Sequence, residues 1–73
     1  AEFGVETIEV DGTVEVSTED VFNILFCVNG RVKLRSDCEE AEFRKGYSCL
    51  VPAATGNYTV EGRSTTIIKV YAK

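Results

Sequence analysis

Apolar and polar residues alternate along most of this chain, and a turn signal interrupts the alternation every eight or so residues. Alternation near 180° per residue sends successive side chains to opposite faces of a strand. Ile8 and Val10, Val14 and Val16, Ala41 and Phe43, and Tyr58 and Val60 each flank a polar residue in this way. The breaks fall at Asp11-Gly12, Asn29-Gly30, Lys45-Gly46 and Glu61-Gly62, and at Pro52, which cannot donate to a sheet ladder. Ser17-Thr18-Glu19-Asp20 has the composition of a helix cap, but the residues after it are β-branched and aromatic without helical spacing, so a turn is expected there. The pattern predicts one all-β domain over residues 1–73 with about eight short strands. Its form is an antiparallel sandwich or small barrel, a jelly roll being one solution.

The stretch from Val21 to Pro52 is the centre of this reading. Two apolar runs, Ile24 to Val28 and Val32 to Leu34, are joined by Asn29-Gly30, a pair that tolerates φ > 0 and signals a β-hairpin. A two-residue loop would set Ile24 opposite Arg35 and Phe26 opposite Lys33. A three-residue loop ending on Gly30 in the left-handed region pairs Phe26 with Val32 and Ile24 with Leu34 instead. That register gathers Ile24, Phe26, Val28, Val32 and Leu34 on one face and turns Arg31, Lys33 and Arg35 to the other, so it is the expected one. Leu25 and Cys27 then make the first strand apolar on both sides, as in an interior strand or one whose outer face is covered. Gly46, Gly56 and Gly62 are read as turn positions.

Composition limits the chemistry. The chain has 73 residues, 44% of them hydrophobic and 27% charged, which suits a folded domain. No apolar run approaches the roughly 20 residues of a membrane-spanning helix, and no signal-peptide pattern opens the sequence. The chain begins at Ala1 and lacks Met, so it is expected to be cut from a longer protein or to have lost an initiator. Cys27, Cys38 and Cys49 are an odd set that cannot all pair internally, and without a secretory signal the reducing cytoplasm is the expected home. Cys27 and Cys49 are read as buried, unreactive thiols; Cys38 falls in a turn.

His is absent, which removes the usual base for a Cys or Ser nucleophile and the commonest zinc ligand. There is no phosphate-cradling Gly-rich loop and no Cys-x-x-Cys pair. No metal site and no bound cofactor are expected in this segment. Residues 1–20 hold seven acids and no base, and the remainder holds eight bases against five acids, a net +3. Two readings of this split stay open: solvated sheet faces of opposite sign, or an acidic first segment lying beside the basic strand Arg31 to Arg35 in cross-strand ion pairs. Arg31, Lys33 and Arg35 are the candidate functional residues. They fit an anion site for a ligand such as a sugar phosphate, an ordinary solvated face, or a contact surface in a larger protein, the last drawing on Leu25 and Cys27 on the same side. A net charge of −4 argues against nucleic acid as a partner.

The runs Ile24 to Gly30 and Phe43 to Ala54 resemble a cupin domain. Gly46 and Pro52 match the Gly-five-residues-Pro spacing of the second cupin motif, and Gly30 matches the terminal Gly of the first, with Asn23 in place of its acid. In that comparison the paired His of the first motif would fall around Ser17 and Thr18 and the His of the second near Asn57, so the metal set is missing. Leu50 to Gly62, LVPAATGNYTVEG, is similar to the C-terminal domain of type I mannose-6-phosphate isomerases. The resemblance implies a non-catalytic, cupin-like C-terminal domain whose partner is the catalytic domain of the same chain. The parent would interconvert mannose 6-phosphate and fructose 6-phosphate with zinc held in that other domain. The alternative is a stand-alone, metal-free cupin that binds a small sugar or phosphate.

Overall fold

The computed structural model describes residues 2–37 and 39–72; the turn reading of Cys38 lies outside them. Six strands, β1 (Phe3–Ser17), β2 (Asn23–Asn29), β3 (Arg31–Arg35), β4 (Glu40–Arg44), β5 (Ser48–Val51) and β6 (Asn57–Ala72), are joined by turns and one 3₁₀ turn at Ala53–Thr55. Every pairing is antiparallel. β6 is the spine. Along one edge it carries β1 for its full length, and along the other it carries β2 beside residues 66–71 and β3 beside residues 59–62. β5 lies outside β2, and β4 outside β3.

All four chain paths turn a corner at the same level. β1 shifts register between Val10 and Gly12, and Gly12 faces Gly62 of β6. Gly30 separates β2 from β3, and Gly46 separates β4 from β5, with Lys45 N donating to Gly30 O and Gly46 N to Cys27 O, both at 3.0 Å. The corner divides the molecule into two four-stranded arms. One contains residues 3–10 of β1, the C-terminal half of β6, β2 and β5; the other contains residues 12–17 of β1, the N-terminal half of β6, β3 and β4. Their inner faces close on one core that includes Val10, Val16, Leu25, Val32, Leu34, Tyr58, Val60 and Ile67. This is the jelly roll of the expectation, with eight strand segments drawn from six strands. Asp11-Gly12 and Glu61-Gly62 bend continuous strands rather than ending them, because each glycine faces the other across the ladder and the pairing continues on both sides.

The expected hairpin is not formed. β2 and β3 do not pair with each other; they follow one another along the same edge of β6, so Phe26 faces Ser48 and Ile68 while Val32 faces Phe43 and Gly62. The left-handed Gly30 is present at φ 74°, but it turns a corner instead of reversing the chain. Asn29 Oδ1 accepts from Thr66 N at 2.8 Å and ties that corner to the spine. The register of β3 is as expected, with Val32 and Leu34 inward and Arg31, Lys33 and Arg35 outward. The register of β2 is the opposite of that expected: Asn23, Leu25 and Cys27 are buried, and Phe26 and Val28 face out. An extra residue explains the change of parity, since Cys27 pairs with Ile67 and Asn29 with Thr66, leaving Val28 bulged. With apolar residues on both sides of β2, burial alone could not choose its register.

Pro52 ends β5 and opens the 3₁₀ turn, with Thr55 N donating to Pro52 O at 3.1 Å, and Lys45-Gly46 forms the expected turn. A side chain at Gly30 faces two penalties: the positive φ, and a Cβ that would lie 2.7 Å from Thr65 Oγ1. Gly30→Val is expected to lower stability by about 1–3 kcal/mol, read as a reduced denaturation midpoint at constant slope; an unchanged midpoint would mean the corner does not require glycine.

Candidate functional site

Two places gather polar groups. The first is the open end of the sandwich, where the inner faces of the two arms meet. Asn23 at the start of β2 is fully buried, and its Oδ1 accepts a 2.8 Å hydrogen bond from the Tyr58 hydroxyl on the facing arm. Thr18, in the turn after β1, is also buried; its Oγ1 donates to Ala53 O at 2.9 Å and its N–H to Gly56 O at 3.0 Å. These bonds tie the turn after β1 and the loop before β6 to the end of the core. Beside them, Lys69 faces Leu25 and Glu6 in the register, and its ammonium donates to Ser17 O at 3.4 Å while lying 5.3 Å from the Tyr71 ring centroid. Burial, followed by the nearby Cys49 and Glu6, pushes the Tyr58 phenol well above its usual range. Burial raises the thiol of the enclosed Cys27 and also that of Cys49, which is half-buried rather than buried as expected, so both stay protonated near neutrality and lack the character of a nucleophile.

Thr18 and Asn23 stand where the cupin resemblance would put metal-binding groups, and Asn57 directly precedes Tyr58. Their oxygens are neutral, and those of Thr18 and Asn23 are committed to the bonds just described. Among the described residues no three or more His, Cys, Asp or Glu side chains cluster to hold a metal. The donor set of this end does not fit zinc.

The second place is the outer face of β3. Arg31, Lys33 and Arg35 share it as predicted, but the acids beside them come from β4. Lys33 Nζ lies 3.1 Å and Arg35 Nε 3.5 Å from Glu40, and Arg31 reaches Glu42 at 3.9 Å. The acidic first segment pairs along β6 instead, with the Asp11 carboxylate accepting from Ser64 N at 3.3 Å. A hydrogen bond from Lys33, then the charges of Lys33 and Arg35, hold the Glu40 carboxyl below its usual range. All these groups are substantially exposed, so solvent screening leaves each pair a minor contribution to stability. A groove of about 500 Å³ at the corner brings Arg31, Lys33 and Arg63 together with Asp11, Glu42 and Glu61. Three acids balance three bases there, leaving little net field for an anion. Leu25 and Cys27 do not join this face, being in the core.

No helix among the described residues is long and apolar enough to cross a membrane. The family described as "Mannose-6-phosphate isomerase, cupin domain" matches residues 1–72. The chain belongs to that family. A mannosephosphate isomerase candidate from Archaeoglobus fulgidus is 45% identical over 97% of this chain, with a TM-score of 0.92. The mannose 6-phosphate isomerase of Salmonella typhimurium, whose structure contains fructose 6-phosphate and zinc, superposes with a TM-score of 0.86 at 24% identity. A cupin-2 domain protein from Shewanella frigidimarina shares the fold at a TM-score of 0.81 and 11% identity. The chain spans 23% and 18% of the lengths of the first two proteins. No curated protein matches it. For this cupin domain the all-β jelly roll and the family expected from Leu50 to Gly62 are both found.

The buried Asn23–Tyr58 bond escaped sequence reasoning, in which the alternation puts Tyr58 and Val60 on one face of a strand but names no partner for either. Removing its hydroxyl in Tyr58→Phe orphans a buried acceptor and is expected to cost about 1–3 kcal/mol at pH 8. The raised phenol pKa means the folded state retains a proton that the unfolded chain releases near pH 10. Stability from this group is therefore complete below about pH 10 and is lost as pH rises above it. Urea unfolding of both proteins at pH 8 and pH 10.5–11 should show the wild type losing more stability than Tyr58→Phe; equal losses would mean that Tyr58 is not protected.

Proposed function

We propose that this domain is a non-catalytic, C-terminal part of a zinc-dependent mannose-6-phosphate isomerase. The observation that carries the reading is the family match over 1–72, joined to solved relatives of which this segment forms only 23% or 18%. The domain's own chemistry agrees with that division of labour. Its buried polar groups, Asn23, Tyr58 and Thr18, stabilise the open end of the sandwich, and its thiols are held protonated. In the whole enzyme the rest of the chain would hold zinc and the sugar phosphate, and this domain would pack against it. Free cysteines suit an enzyme of the reducing cytoplasm.

The test is an isomerase assay with zinc on the complete gene product and on residues 1–73 alone. Interconversion of mannose 6-phosphate and fructose 6-phosphate by the complete product only is expected. Turnover by the isolated segment would overturn the non-catalytic assignment, and a complete product inactive on both sugars would overturn the parent activity.

A further inference from the structure

The two outer faces of the sandwich differ completely. On the β3–β4 arm, successive rows across the sheet read Glu40, Arg35, Thr59, Glu15 and Glu42, Lys33, Glu61, Thr13. On the β2–β5 arm the corresponding rows read Leu50, Ile24, Val70, Val5 and Ser48, Phe26, Ile68, Thr7. Val5 is 67%, Leu50 62% and Phe26 40% exposed, and Ile24, Ile68 and Val70 lie half-buried between them. An antiparallel sheet with one wet face carries polar residues on it, as the first arm does; strands apolar on both sides are normally covered on both. A contiguous aliphatic and aromatic surface of this kind marks a contact.

We infer that the outer face formed by Val5, Ile24, Phe26, Leu50, Ile68 and Val70 is the surface by which this domain docks on the remainder of its own polypeptide. The inference rests on the parent assignment proposed above. The occupant is an apolar, largely uncharged surface of the same chain. In the Archaeoglobus and Salmonella proteins most of the polypeptide lies outside the matching segment. A covalently attached partner acts at an effective concentration on the order of mM, well above what a second copy reaches in dilute solution. The basic row of Arg31, Lys33 and Arg35, already paired with Glu40 and Glu42, lies on the opposite arm and remains in water.

The experiment uses the complete gene product carrying Val5→Cys or Glu15→Cys, two positions on the same strand but on opposite arms. Each is labelled with a water-soluble thiol reagent and read by peptide mass. Docking predicts labelling at position 5 at least tenfold slower than at position 15, at every protein concentration. Equal rates would show the face in water and overturn the inference. Protection lost on dilution to a monomer, followed by sedimentation, would assign the face to a second copy and overturn it equally. Hydroxyl-radical footprinting of the unsubstituted product at Phe26 and Leu50 tests the same surface without any substitution: oxidation there as fast as at exposed side chains overturns the inference. Isomerase assays on the same preparations separate the two ideas. A protected face on an inactive product sinks the parent activity alone, and an active product with an unprotected face sinks the docking surface alone.

Discussion

Closure of this small sandwich depends on a bend that four neighbouring chain paths make at the same level. Antiparallel pairing couples the paths, because a ladder continues across a corner only if every strand in it turns there. Gly12, Gly62, Gly30 and Gly46 supply the places, and the bulge at Val28 adjusts the parity of the chain that enters the corner through β2. The bend brings two four-stranded arms face to face, so a chain of 73 residues can enclose one continuous core. Without it β6 would be the spine of a flat sheet with no second layer to bury Leu25, Val60 and Ile67.

Once the arms face each other, their open end must satisfy the backbone and side-chain polar groups that the strand ends leave behind. Tyr58 and Asn23 do so across the gap, and Thr18 ties the two crossing loops together. This is where the wider cupin comparison would seat metal-binding groups. The side-chain oxygens of Thr18 and Asn23 are neutral and already engaged with protein, which suits this end to holding the two arms together.

The same bend sorts the surface. The outer rows of the β3–β4 arm alternate in sign and neutralise one another, so they are suited to water and poorly suited to drawing in an anion. The outer rows of the β2–β5 arm are aliphatic and aromatic. One domain thus carries a charged face and an apolar face on the two halves of the same long strands.

Local pattern was enough for the class of the fold, because side-chain alternation and glycine spacing are properties of a few consecutive residues. It also placed β3 with Val32 and Leu34 inward and Arg31, Lys33 and Arg35 outward, and the residues from Leu50 to Gly62 were enough for the family. What a strand pairs with is not a local property. Gly30 takes a positive φ in a corner as it would in a hairpin, and the pairing of both β2 and β3 with β6 decides which is made. The same reason hid the inward register of β2, the Tyr58–Asn23 contact between residues 35 positions apart, and the transfer of the ion pairs from the acidic first segment to Glu40 and Glu42. Residue order therefore determined the strands and the kinship, while tertiary pairing decided which faces meet, because a side chain's partner across a sheet depends on where the rest of the chain has gone.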